Sequence, residues 1–262
     1  MANFCALYSG SSGNSMVVAS GGASLLVDAG VSCKAILTAL CQRQVELSSL
    51  RGILITHEHI DHVRGLKVLL KKLPLPVYAS AGTLSCLLRD EMVPPGADLR
   101  EISRPCEIGG MEVAPFATPH DAAGPLGFVI TTAEGEKLGI ATDLGHITAE
   151  VDAALCGCGT VVLEANYDEH SLRTGAYPYY LKQRIASQWG HLSNAESAGQ
   201  CLRLVDAGAR NLVLCHLSKE NNTPELAAGA IAQRLAQAGC RAGYDYLLQV
   251  ASRSQPSDII RF

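Results

Sequence analysis

Aromatic residues, net charge and long apolar runs are all scarce in this sequence. Phe, Trp and Tyr make up 5% of the chain, with a single tryptophan. No apolar run approaches the roughly 18 residues needed to cross a bilayer, which argues against a membrane-spanning helix. Asp and Glu outnumber Lys and Arg by 25 to 21, so the net charge is −4. Proteins that coat nucleic acid non-specifically are basic, so any polyanion here must be held by a local patch or by metal ions. There is no repeat, low-complexity tract or charge run. The opening MANFCALYSG lacks the basic and apolar regions of a secretory signal. With ten cysteines besides, the expectation is a cytoplasmic protein with reduced thiols. Cys156-Gly157-Cys158 does not have the C-x-x-C spacing of a redox or zinc motif and reads as an incidental pair after a helix end.

What is present is an ordinary globular composition, 48% apolar and 18% charged over 262 residues, enough chain to bury a sizeable core. We expect one domain, 1–262. Short β-type runs alternate with helical stretches. Strands are predicted over 4–8, 15–19, 23–28, 52–56, near Val77, and over 111–118, 126–132, 137–142, 160–165, 211–215 and 244–250. Helices are predicted over 32–44, 63–72, 179–188, 194–206 and 224–237. Pro94-Pro95-Gly96 reads as a turn. Strands followed by helices, twice over, indicate the α/β class with two sheets and helices outside them.

The run Thr56-His57-Glu58-His59-Ile60-Asp61-His62 carries the strongest chemical signal. It follows an apolar strand and precedes a helix, so a tight loop can aim three imidazoles and a carboxylate to one side. These are the nitrogen and oxygen donors that Zn²⁺ and similar ions take. The other candidates sit at strand ends: His120 in A-T-P-H-D, Asp143 in G-I-A-T-D and His216 in L-V-L-C-H. Singly, each could be a turn-former or cap. Jointly, four strands deliver ligand-type side chains. Cys215 precedes His216 on its strand and should face the opposite side, into the core.

With Asp28 in D-A-G, these elements occur in the order of the metallo-β-lactamase superfamily, which the chain resembles over essentially its whole length. The resemblance implies a four-layer αββα sandwich (α/β, α+β) and a dinuclear site. His57, His59 and His120 would hold one metal, Asp61, His62 and His216 the other, and Asp143 would bridge. Asp28 would support a ligand from behind. The ions implied are Zn²⁺ or Mn²⁺, between which mixed His and carboxylate ligands do not decide.

Position 59 is His, unlike the flavo-di-iron branch, and position 143 is Asp, unlike β-lactamases with a cysteine ligand. V-L-E-A-N-Y-D (162–168) and G-H-L-S-N-A-E (190–196) resemble the Glu and His segments of ribonuclease Z and related nucleases. That likeness makes Glu164 and His191 a proton-delivery pair. Ser193 and Glu196 fit a capping box, so His191 stands just before a helix N-terminus, where phosphate binds well. An acid role for His191 requires Glu164 within hydrogen-bond reach. Otherwise His191 merely helps to cap the helix.

The Ser9–Ser15 loop, with Ser11, Ser12 and Asn14, has small residues that leave N–H groups for an anion. Arg173, Lys182 and Arg184 are interleaved with Tyr167, Tyr177, Tyr179, Tyr180 and Trp189. Such a segment suits stacked bases and phosphates, or equally an amphipathic helix packed inward. Lys219, Asn221 and Asn222 could reach a phosphate or form a polar loop.

Together with T-H-E-H-I-D-H-V-R-G and C-H-L-S-K-E-N-N, these segments resemble the YycJ (WalJ, VicX) group of bacterial proteins. That implies a phosphodiesterase acting on nucleic acid, DNA before RNA, as a 5′-to-3′ exonuclease using a metal-activated hydroxide. Asp61 and Asp143 would orient the attacking oxygen, and His191 would protonate the leaving one. A small-molecule hydrolase of a thioester, lactone or cyclic phosphodiester stays open. So does a metal-binding regulator without catalysis.

Overall fold

The structure is a computed structural model and describes residues 1–262. The strands are β1 Asn3–Tyr8, β2 Ser15–Ser20, β3 Ala23–Val27, β4 Leu50–Leu54, β5 Val77–Ala79, β6 Leu99–Glu101, β7 Cys106–Ile108, β8 Met111–Ala117, β9 Leu126–Thr131, β10 Lys137–Ala141, β11 Thr160–Glu164, β12 Asn211–Cys215, β13 Leu247–Val250 and β14 Ile260–Arg261. The helices are α1 Cys33–Gln42, α2 Ile60–Val63, α3 Leu66–Lys72, α4 Ala81–Arg89, α5 Ala149–Leu155, α6 Glu169–Thr174, α7 Tyr179–Ile185, α8 Asn194–Asp206 and α9 Pro224–Gln237. There are two seven-stranded sheets, ordered β14-β1-β2-β3-β4-β5-β6 and β13-β12-β11-β10-β9-β8-β7. Both are mixed. In the first, β1, β2 and β3 pair antiparallel and β3 through β6 parallel. In the second, β7 and β8 are antiparallel and β10 through β13 parallel. The two-sheet α/β class read from the sequence is the one observed.

The chain forms two compact units. The first comprises Met1–Pro115, Ala122–Glu136 and Ser252–Phe262, and the second Phe116–Asp121 and Lys137–Ala251. In the first unit, β3 is buried at every position and joins a core with Leu7 of β1, Ile53 of β4, Ile55 just past it, and Ile36 and Leu40 from α1. Strands covered on both faces read as unbroken apolar runs, which is what L-L-V (25–27) and I-L-I (53–55) are. In the second unit β11 is likewise buried throughout, and its last residue is a glutamate. Six of the nine helices, α1, α4, α5, α6, α8 and α9, start after a side-chain cap. Ser193 and Glu196 form the expected capping box on α8, and Thr223 caps α9 ahead of Pro224.

Three expectations shift in detail. The helix expected over 63–72 is two pieces, α2 and α3, because tertiary bonds divert its backbone. The Asp61 carbonyl accepts from Asn14 N at 2.8 Å, and Gly65 N donates to the Ala29 carbonyl at 2.8 Å. The helix over 179–188 stops at Ile185, where His191 N takes the Ile185 carbonyl at 2.9 Å. The strand over 244–250 begins only at Leu247, because a turn closes before it through Gly243 N to the Tyr246 carbonyl. No helix is long and apolar enough to cross a membrane.

Gly30 shows how tightly the first unit holds its loops. A Cβ there would lie 1.7 Å from the Asp61 carbonyl oxygen. Gly30→Ala should therefore lower stability by about 1–3 kcal/mol, the range for overpacking. Gly199, inside α8, has nothing within 4 Å of its Cβ position, and Gly199→Ala should raise stability by about 0.5–1 kcal/mol through helix propensity. Equilibrium unfolding in urea measures both. Equal effects of the two substitutions would contradict this packing.

Candidate metal centre

In the first unit, β3 and β4 end side by side and supply the frame. Asp28 follows β3 with φ 62°, a left-handed conformation unusual for a non-glycine residue. The turn buries its carboxylate, whose Oδ1 accepts from Thr56 N at 2.9 Å. The Thr56 hydroxyl donates at 3.0–3.1 Å. The other oxygen, Oδ2, stands 2.7 Å from His62 Nδ1. With Nδ1–H donating to Asp28, the opposite nitrogen Nε2 is the one that can carry a lone pair toward a metal. His57 Nε2 and His59 Nδ1 are 3.1 Å apart, and the His57 and His62 rings are 4.1 Å apart. Asp61 Oδ2 is 3.7 Å from His62 Nε2. Within this unit His57, His59, Asp61 and His62 lie close together, and Asp28 touches His62 directly.

Two further residues complete this half. Glu58, the unassigned residue of H-E-H, ties the motif loop outward: Ala123 N donates to Oε1 at 2.7 Å and the Thr83 hydroxyl to Oε2 at 3.2 Å. Its place between two histidines offered no sequence signal for this anchoring. Asn14 is buried, its Oδ1 accepting from Gly10 N at 2.9 Å and its amide nitrogen lying 3.1 Å from His62 Nε2. Ser11 and Ser12 on the same loop are exposed.

In the second unit, Asp143 (φ 58°) and His216 (φ 55°) also leave their strands through the left-handed region. His120 follows β8, its Nδ1 donating to the Gly190 carbonyl at 3.0 Å and its Nε2 lying 3.7 Å from Asp143 Oδ1. Glu164, fully buried at the end of β11, is the centre of this half. Oε1 lies 2.8 Å from His191 Nδ1 and 2.9 Å from His216 Nδ1. Oε2 accepts from Leu144 N at 2.9 Å and Leu192 N at 3.1 Å. Burial alone would push this carboxyl up. The charge of His191 and the hydrogen bonds from His191 and His216 outweigh burial and the repulsion of Asp143, and hold it below its ordinary value. Asn166 supports His216 by donating to its carbonyl at 2.8 Å.

The remaining predicted residues are placed as follows. Arg173 and Lys219 are exposed. Tyr177 packs against the small cluster of Tyr167, Leu172 and Ile185. Asn221 is buried, and Asn222 is a buried brace whose amide donates to Ala165 O, Asn166 O and Asn194 Oδ1 at 2.9, 3.1 and 2.8 Å. Neither Tyr177 nor Asn222 is therefore positioned as a surface contact. Cys215 is fully buried, and none of the ten cysteines forms a disulfide. Burial pushes the Cys158 thiol up to about 11, which makes Cys156 and Cys158 a poor redox pair.

The donors suit a divalent cation. In the second unit, candidate ligand atoms of Asp143, Glu164, His191 and His216 lie within 4.8 Å of one another. Glu164 spends both oxygens on four N–H groups, so it orients imidazoles rather than offering itself to the ion.

Residues 24–217 match the family described as a β-lactamase superfamily domain. The chain is 33% identical over 259 residues to the exodeoxyribonuclease YycJ of Bacillus anthracis, covering 98% of each. It is 34% identical over 244 residues to the exodeoxyribonuclease WalJ of Streptococcus pneumoniae, covering 92% of this chain and 90% of that one. The chain belongs to the YycJ/WalJ group of the β-lactamase superfamily. Its fold is that of the metallo-β-lactamase-fold protein YhfI from Bacillus subtilis, with TM-score 0.73 at 16% identity over 98% of this chain and 100% of the other. Members of this superfamily are metal-dependent hydrolases, and this chain carries the His and Asp cluster that such chemistry needs.

Removing a carboxylate behind a metal-binding histidine costs about 10- to 100-fold in metal affinity. Asp28→Ala should lose that much affinity for Zn²⁺ in competition with a chromophoric chelator. It should also lose stability, because Thr56 N is left buried without its acceptor. Wild-type affinity in Asp28→Ala would contradict the role given to Asp28.

Proposed function

We propose that this protein is a phosphodiesterase that shortens nucleic acid from an end, DNA in preference to RNA and in the 5′-to-3′ direction. One contact carries the proposal: His191 Nδ1 on Glu164 at 2.8 Å. A thioester hydrolase expels a thiolate, which leaves without such help. A nucleotide alkoxide leaves poorly unless it is protonated. The two exodeoxyribonucleases, at 33–34% identity over more than nine-tenths of the chain, support the substrate class.

By position in the family, His57, His59 and His120 would hold one divalent ion and Asp61, His62 and His216 a second, with the Asp143 carboxylate available as a further ligand. Residues 1–262 then act as one hydrolase domain. The ions are Zn²⁺ or Mn²⁺, and when bound they supply Lewis acidity toward a phosphate oxygen and make water nucleophilic near neutral pH. The protein's own groups do the rest. Asp28 and Glu164 fix the imidazoles by their Nδ1 atoms. Asp61 and Asp143 accept from and orient the attacking water. Glu164 holds His191 so that Nε2 faces the leaving oxygen and delivers its proton. Ser11 and Ser12 on the N-terminal loop, with Arg173 and Lys219, offer exposed polar groups for phosphate. The ten unbridged cysteines support a reducing, cytoplasmic setting.

The test uses 5′-labelled and 3′-labelled DNA and RNA beside bis-p-nitrophenyl phosphate, with Mn²⁺ and separately with Zn²⁺. Stepwise shortening of DNA is expected, and Asp61→Asn should abolish turnover. His191→Ala should slow DNA cleavage by about 10²- to 10⁴-fold, the usual worth of a general acid. It should slow cleavage of the nitrophenyl diester far less, because nitrophenolate leaves without protonation. Equal losses on both substrates would remove the acid role. Cleavage of the small diester with every polymer intact would point to a small-molecule phosphodiesterase.

A further inference from the structure

The aromatic residues of 167–189 divide cleanly. Tyr167 and Tyr177 turn inward, whereas Tyr179, Tyr180 and Trp189 are 74%, 73% and 59% exposed. Trp189 is the only tryptophan in the chain. A tryptophan ring left in water is informative, because tryptophan is highly buried on average. Its location is more so, since it lies two residues before His191 on the same loop.

That loop is fastened on every side within its own unit. Trp189 O accepts from Asp121 N at 3.2 Å, and the next carbonyl, Gly190 O, accepts from His120 Nδ1 at 3.0 Å. Gly190 N donates to the Ser187 carbonyl at 2.9 Å, and His146 Nδ1 to the Gln188 carbonyl at 3.0 Å. Gly145 approaches so closely that a Cβ would lie 2.0 Å from Gln188 O and 2.5 Å from Trp189 N. Arg184 is pinned alongside by Asp121 at 2.7 Å. The backbone that carries the exposed indole is therefore held in place, and the carbonyl next to it is hydrogen-bonded to a ligand-type histidine. Residues 167–189 carry Arg173, Lys182 and Arg184 against Asp168 and Glu169, a small local excess of positive charge in a chain of net charge −4.

We propose that Trp189 is a stacking platform for the base of the nucleotide at the end being cleaved, with the basic residues of its segment balancing the neighbouring phosphates. The occupant is a nucleobase of single-stranded DNA. Every base offers a π-face, so such a platform grips an end without reading its sequence. A loop whose backbone is already anchored also loses little freedom on binding. This inference rests on the nuclease reading and adds to it the residue that places the terminal nucleotide beside His191.

Because there is one tryptophan, indole fluorescence excited beyond tyrosine absorption reports this position alone. The metal-loaded protein is titrated with a single-stranded phosphorothioate oligodeoxynucleotide that resists hydrolysis and carries a distal dye for anisotropy. Saturable quenching of Trp189 with the same midpoint as the anisotropy is expected. Trp189→Ala should weaken oligonucleotide binding by roughly 5- to 100-fold. Trp189→Phe should weaken it less, because a ring remains. Oligonucleotide binding with unmoved fluorescence, or wild-type binding by Trp189→Ala, would overturn the stacking role and leave the nuclease reading standing. No binding of any oligonucleotide would overturn both.

Discussion

Each unit is organised around one buried carboxylate whose charge is answered by N–H groups. Burying an ionised carboxylate is expensive unless its lone pairs are satisfied. Asp28 meets that demand with Thr56 N, the Thr56 hydroxyl and His62 Nδ1. Glu164 meets it with two backbone N–H groups and the Nδ1 atoms of His191 and His216. The consequence in both cases is the same. An imidazole bound through Nδ1 has a fixed ring plane, and its Nε2 is the atom presented to chemistry. The requirement to satisfy a buried charge thereby becomes control over which nitrogen does the work.

The backbone cooperates through a second constraint. Five residues other than glycine adopt positive φ, and Asp28, Asp143 and His216 are among them. All three lie at or just past a strand end. Such residues cost about 1–3 kcal/mol each and concentrate at functional sites. Here the left-handed turn carries a side chain off the direction of its strand while the strand itself stays fully paired. Stability in the sheets thus supports strain at their ends, and rigid strands set the positions of the ligands better than a long loop could.

How much of this was legible follows from the physics of each part. The candidate ligands could be picked out because His and Asp at the ends of apolar runs are chemically conspicuous and their strands are strongly patterned. The capping box at Ser193 was legible for the same local reason. The acid partner was not legible from spacing, because Glu164 ends a buried strand, and only resemblance assigned it a function. Its bond to His216 had no trace in the sequence, since 52 positions separate them. Glu58 escaped notice because its partners, Thr83 and Ala123, are distant and carry no motif. Helix α4, A-G-T-L-S-C-L-L-R, was legible in principle, since Leu84, Leu87 and Leu88 fall at helical spacing, whereas α6 is too short to show a period. The break between α2 and α3 depends on which tertiary acceptor captures each backbone N–H, which no local pattern records. The inward and outward split of the aromatics also needed the fold, since the basic tyrosine segment fits either reading until its packing is seen.

The most direct test of the two-carboxylate account is the protonation pattern of the imidazoles. Long-range ¹H–¹⁵N correlation spectra of histidine-labelled protein, recorded near neutral pH with Zn²⁺ bound, distinguish the two ring nitrogens. The account predicts Nδ1–H for His62, His191 and His216, with metal-shifted Nε2 signals for His62 and His216. Assignment of each ring comes from His62→Asn, His191→Asn and His216→Asn proteins. Protons on Nε2 with Nδ1 facing the metal would contradict it, because Asp28 and Glu164 would then have no proton to hold.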